Sequence, residues 1–301
     1  MFVFADELTA KARALVSQPQ FGSALATHSA AMLTLYKDTQ GKGAHIARFL
    51  VNETARALIA NLCVYLDLAF APGDPRSGLT VRKLQKICAD RGVASPGRVH
   101  AFAKMLQLSG YLDAIASPDR RFKVLRPGAK LRAYRSALMH SIYSALDQVA
   151  PGRDYARRGA DPEIDRRVLL VSGADFFGGL LLLEYHPDIK MFADRDGGYL
   201  FLLKLLSRAH VFDHDGDEAE VSVSLKEVSE RVAVSRSHLR SILREAEQRA
   251  LLAVETDRGQ KIILKTKLIA KFKEQVALLL AYYGDILDRR LDEHCPMLFQ
   301  D

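Results

Sequence analysis

Apolar side chains recur three and four residues apart along most of the chain, the spacing of helices that bury one face. Leu8, Ala12 and Leu15, then Leu25, Met32, Leu33 and Tyr36, predict helix over 8–37, with a break at Gln18-Pro19 and an end at Gln40-Gly41-Lys42-Gly43. Ile46, Phe49, Leu50, Leu58, Leu62, Tyr65 and Leu66 form one apolar face of a helix over 44–70, stopped by Ala71-Pro72-Gly73-Asp74-Pro75.

A compact unit follows. Leu84 and Ile87 mark a short helix over 79–90, and Gly92-Val93-Ala94 is a three-residue turn. Ser95 then stands at an N-cap with Pro96 at the first helical position, a strong start signal. Val99, Phe102, Ala103 and Leu106 line that helix until Gly110 closes it. Residues 111–116 and 121–125 predict two strands around Ser117-Pro118-Asp119-Arg120, and a helix from about 131 to 149 completes the unit.

Pro151 to Pro162 predicts a connector. Residues 166–186 and 197–212 predict two apolar helices separated by a loop over 187–198, and 210–220 predicts an acidic loop. The earlier order then returns. A short helix over 224–231 is followed by the turn Val232-Ala233-Val234 and by Ser235 as N-cap. A helix over 236–249, two strands around Asp257-Arg258-Gly259 and a long helix over 268–293 come next.

The segment 95–112 lies on 235–252 without a gap. Val99, Phe102, Ala103, Leu106, Tyr111 and Leu112 fall on Leu239, Ile242, Leu243, Ala246, Leu251 and Leu252. Identity in this block is confined to Ser95/Ser235 and Leu112/Leu252, so the agreement lies in periodicity, cap and element order. A repeat this long predicts a duplicated domain and not a solenoid. The expected fold class is therefore mainly α with small β wings. Two domains are expected: 1–150, a helical segment plus a unit at 79–135, and 151–301, a helical segment plus a unit at 221–275.

Composition adds a partner class. The chain of 301 residues is 49% hydrophobic and 26% charged, enough to build a core and unlike a disordered sequence. Its net charge is +7, distributed unevenly. Residues 79–135 carry +10, residues 221–275 carry +5 and the rest of the chain sums to −8. Two basic islands in an acidic remainder favour a polyanion.

Helix, turn, helix, hairpin and long helix, occurring twice, resemble the winged helix-turn-helix of the MarR-like bacterial regulators. Such regulators are usually homodimers that dock two recognition helices in successive major grooves. The resemblance covers 79–135 and 221–275 well and the flanking helices less well. It implies double-stranded DNA as partner and one chain that suffices as a pseudo-dimer, with its two units in a pseudo-twofold arrangement.

The residue chemistry agrees. The outer face of the second helix of the later unit holds Arg236, Arg240 and Arg244, with Ser237 and Ser241 beside them; the earlier unit holds Arg98, His100 and Lys104. Arginine forms paired bonds to guanine O6 and N7, while lysine and serine more often reach phosphate. Arg120 and Arg121 in one hairpin, and Arg258 and Lys261 in the other, put cations at the wings, where they can lie along a minor groove or backbone. The expected DNA-binding set is these residues with the caps Ser95 and Ser235. Exposed helix faces are commonly charged for solvation alone; two aligned stripes and two basic wings argue against that here.

Other chemistry is weaker. The run His210-Val211-Phe212-Asp213-His214-Asp215-Gly216-Asp217-Glu218 holds metal-type ligands but not in calcium-loop order, so no metal is expected. No phosphate loop, dinucleotide fingerprint or nucleophile elbow occurs, so neither cofactor nor enzymatic activity is expected. Cys63, Cys88 and Cys295 are too scattered for a disulfide framework. With no N-terminal signal and no membrane segment, this predicts a cytoplasmic protein. The apolar stretch Leu169 to Leu206 reads as packing between the halves, with room for a small-molecule effector. The leading expectation is a sequence-specific transcriptional regulator reading an asymmetric site. A plasmid-type replication initiator and a winged-helix scaffold that contacts only protein are the alternatives.

Overall fold

The computed structural model describes residues 2–37, 50, 53–68, 70, 74, 77–115, 123–212, 218–255 and 261–292. Within them the chain is mainly helical with a few short antiparallel strands. Helices α1 (Phe2–Val16) and α2 (Phe21–Lys37) are separated at Gln18-Pro19, where proline cannot continue a helix. Helix α3 (Thr54–Leu68) follows; the earlier start predicted for it falls largely outside the described residues.

The first compact unit comprises α4 (Val81–Asp90), α5 (Pro96–Leu108), β1 (Leu112–Ile115), β2 (Val124–Pro127) and α6 (Ala129–Val149). The second comprises β3 (Ala219–Ser222), α11 (Leu225–Val232), α12 (Arg236–Gln248), β4 (Leu252–Val254), β5 (Lys261–Leu264) and α13 (Thr266–Asp285). Between them lie α7 (Tyr155–Gly159), α8 (Pro162–Phe177), a 3-10 turn (Leu182–Tyr185), α9 (Pro187–Ala193) and α10 (Gly198–Arg208).

The caps explain several boundaries. Thr80 Oγ1 accepts from Lys83 N at 3.1 Å, Ser224 Oγ from Glu227 N at 3.3 Å and Ser235 Oγ from His238 N at 3.1 Å. Each satisfies a helix-start donor that has no partner inside the helix. Ser95 holds the N-cap backbone position, with Pro96 after it, but its side chain makes no capping bond.

The connections between α4 and α5, 91–95, and between α11 and α12, 233–235, lie at the predicted turns. Three expectations are corrected. The helix predicted over 166–186 ends at Phe177, because Gly179 turns the chain at φ +97°. Pro187–Ala193, predicted as loop, is helical, with Pro187 at the first position. Ala219–Ser222, read as part of an acidic loop, is a strand: it pairs antiparallel with β5, which also pairs with β4. In the first unit a single bridge, Leu79 to Leu125, occupies the place of that third strand.

Two apolar clusters hold the molecule. The smaller packs α3 against α4, α5 and the first hairpin, around Leu66, Leu84, Val99, Leu106 and Leu125, and takes in Leu169 and Phe176 of α8. The larger centres on the second unit and α13. It also includes Leu8, Phe21 and Leu25 of α1 and α2, so it joins helices from both ends of the chain. Among the described residues no helix is long and apolar enough to cross a membrane.

Candidate nucleic-acid interface

Helices α5 and α12 are seated alike. All six aligned apolar pairs are buried, from Val99 and Leu239 to Leu112 and Leu252. The exits also agree. Gly110 (φ +71°) and Ala250 (φ +53°), which the same alignment pairs, are both left-handed. Tyr111 N bonds back to Leu106 O at 2.8 Å, and Leu251 N to Ala246 O at 2.9 Å. These closing bonds satisfy carbonyls that a helix end leaves open.

The outer faces differ. On α12, Arg236, Arg240 and Arg244 are exposed, and among the described residues they make no ion pair or side-chain hydrogen bond. The acids of the same helix are occupied: Glu245 pairs with Arg195 and, at 2.9 Å, with Arg249, while Glu247 accepts from Val254 N at 3.0 Å. Three cations thus stand uncompensated on one face. Ser237 Oγ is 2.8 Å from Ser235 Oγ, and Ser241 is tied to Arg195 at 3.3 Å, so Ser241 serves the flank of the helix.

On α5, His100 and Lys104 are exposed and without a partner among the described residues. Arg98 is different. Its guanidinium pairs with Glu53, which is 5% exposed and precedes α3. Glu53 also lies 3.4 Å from Arg56, and Arg56 lies 2.8 Å from Asp196, in the loop between α9 and α10. The carbonyl of Asp196 faces His238 Nε2 at 3.0 Å; a carbonyl only accepts, so that nitrogen carries the proton.

The hairpin cations divide as well. Arg120, Arg121 and Arg258 lie outside the described residues. Lys261 is held by Glu220 at 3.0 Å and Glu255 at 2.5 Å, which raises its pKa above the ordinary lysine value. Much of the first basic island is also tied down: Arg126 and Arg132 share Asp67 at 3.0 and 2.8 Å, and Arg135 is paired with Asp165. Net charge counted along the sequence therefore overstates the free charge at this surface. The acids that occupy Arg98, Arg126, Arg132 and Arg135 are 45, 59, 65 and 30 residues away, beyond the reach of any local pattern.

A cleft of about 490 Å³ adjoins this region, lined by Phe176, the Leu180–Leu183 segment, Tyr282, Glu53 and Arg98. It uses part of the apolar stretch from Leu169 to Leu206, whereas Phe192 and Phe201 of that stretch are fully buried core. The possible metal ligands at 213–217 fall outside the described residues. Cys63 and Cys88 are buried, and burial pushes both thiols up, Cys88 to about 11.

No family model, curated protein or solved structure matches the chain.

Proposed function

We propose that the chain is a sequence-specific DNA-binding regulator built from two winged helix-turn-helix units in one polypeptide, similar to the MarR-like regulators. The reading rests on one observation above the others. Arg236, Arg240 and Arg244 stand exposed and uncompensated on the outer face of α12, the second helix of a helix-turn-helix followed by a hairpin. A solvated helix face normally interleaves acids among its bases, whereas here the acids of α12 are engaged on its flanks. That helix is the one a helix-turn-helix lays in the major groove, where arginine pairs with guanine.

The two units then have unequal work. The cations left on α5 are His100 and Lys104, since Arg98 is held by Glu53. The α12 unit supplies most of the base reading, and the α5 unit supplies phosphate contacts from Lys104 and its hairpin. One chain therefore covers a single site of two unlike halves, about one helical turn apart.

The test is selection from a random duplex library with the purified chain, followed by a salt titration on the recovered site. The expected results are an asymmetric site and an affinity that falls steeply with salt. Absence of DNA binding at low salt would sink the reading in favour of protein contact. Recovery of tandem origin-type repeats would turn it toward replication initiation.

A further inference from the structure

We propose that the loop between α9 and α10, residues 194–197, is a strut that fixes the separation and orientation of α5 and α12, with Asp196 as its positioning residue. Its consequence is a specificity for spacing: the chain accepts one distance between its two half-sites. That consequence rests on the DNA reading above, whereas the strut rests on geometry alone.

One side of the loop grips the second unit. Arg195 pairs with Glu245 and lies 3.3 Å from Ser241, both on α12. The Asp196 carbonyl accepts from His238 Nε2 at 3.0 Å, also on α12. A Cβ at Gly197 would stand 3.2 Å from Val232 Cβ, so the backbone there lies against the end of α11. The other side grips α3. The Asp196 carboxylate is 2.8 Å from Arg56 Nη1, and both atoms are closed off from solvent. Thr54 Oγ1 donates to Ala193 O, at the end of α9, at 3.0 Å. From α3 the link runs on to α5, because Glu53 lies 3.4 Å from Arg56 and pairs with Arg98.

A strut must also be stiff. Gly198 N bonds to Arg195 O at 2.9 Å and Arg195 N to Phe192 O at 3.2 Å, so the loop is a closed turn. Helices α3, α4 and α5 pack in the smaller apolar cluster and α10, α11 and α12 in the larger, with α8 contributing to both. Apolar burial holds the two clusters together, but it is non-directional. The hydrogen bonds from Thr54 and His238 are directional. The Arg56–Asp196 contact is shielded from water, where opposite charges attract more strongly. These contacts select the angle at which the two reading helices stand.

Asp196→Ala is the test variant: it removes the carboxylate that reaches Arg56 and leaves the carbonyl that faces His238. Spin labels on Leu108→Cys and Gln248→Cys report the separation in the full chain without DNA; both positions are exposed, near the ends of α5 and α12, and outside the DNA-binding set. Cys295→Ser removes a competing thiol, and Cys63 and Cys88 are buried. The expected result is one narrow distance in the parent and a distribution about twice as wide in Asp196→Ala. On the selected duplex, one base pair inserted between the half-sites turns one half by about 36°. It should weaken the parent about tenfold and the variant less than about threefold, with base preference inside each half unchanged. A general loss of stability would weaken every duplex and leave the spacing preference in place, which would count against the positioning role. An unchanged distance distribution overturns the strut whether or not the chain binds DNA. A wider distribution with the parent's intolerance of the insertion overturns the assignment of spacing to Asp196. Absence of DNA binding by the parent would sink the DNA reading and leave the distances to decide the strut. Should Asp196→Ala fail to fold, Thr54→Val, which removes the bond to Ala193, takes its place in both measurements.

Discussion

Arg98 and His238 occupy equivalent positions on α5 and α12 when the two units are aligned, and both end on one chain of contacts through Glu53, Arg56 and Asp196. The loop between α9 and α10 is the shared element. Its Gly197 packs on Val232 and Val234 at the turn of the second unit, while Asp196 reaches Arg56 of α3. Helices α5 and α12 are thus linked through Glu53, Arg56 and the loop that carries Asp196.

Arg240→Ala should lower affinity for the selected site by about 1–3 kcal/mol and relax the base preference at one position. Arg98→Ala should behave differently, because Arg98 already serves Glu53. Its main effect should be on stability, with a loss of about 1–2 kcal/mol in urea unfolding as the buried carboxylate keeps only Arg56 at 3.4 Å. Equal affinity losses in the two variants would contradict this division of roles.

Gly197→Ala should destabilise the fold by about 1–2 kcal/mol. The residue is left-handed at φ +68°, and an added Cβ would stand 3.2 Å from Val232 Cβ. Denaturant melts measure it; a variant as stable as the parent would show that the loop can withdraw from the turn.

Ala250→Gly should act the other way. Ala250 is exposed and sits at φ +53°, in the place that Gly110 fills in the first unit. Glycine relieves left-handed strain and removes no buried contact, so a gain of about 0.5–1 kcal/mol is expected in the same melts.

His28 predicts a pH response. It is 2% exposed, and burial depresses its pKa from 6.5 to about 4, with Ser141 Oγ at 3.4 Å as its neighbour. The unfolded chain therefore binds a proton at pH values where the folded chain does not. Stability from this group is complete above pH 6.5 and is lost as pH falls toward 4, by up to about 3 kcal/mol at 1.36 kcal/mol per unit. His28→Gln should flatten the fall in unfolding midpoint between pH 7 and 4.5. An unchanged slope would mean that other groups carry it.

Much of the frame was legible because it depends on neighbours three and four residues apart. The N-cap at Ser235, the left-handed exit at Gly110 and the inward set from Leu239 to Leu252 follow from such spacing. The exposed arginines of α12 were legible for the same reason, since a residue opposite an apolar stripe faces out. Strand β3 was not, because its reason for existing is Ile262, far downstream of Val221 in the sequence. Helix α9 was hidden by the proline that opens it, which reads equally well as a turn.

The sequence by itself determined most of the helices, the two hairpins and the residues that α5 and α12 bury, because backbone preference and amphipathic spacing act within a few turns. Only the tertiary structure decided which cations remain free. Arg98, Arg126, Arg132, Arg135 and Lys261 are claimed by acids brought from distant segments, whereas Arg236, Arg240 and Arg244 are left without partners among the described residues. An ion pair depends on a separation of a few ångströms in space, and linear order carries no information about that distance until the chain has folded.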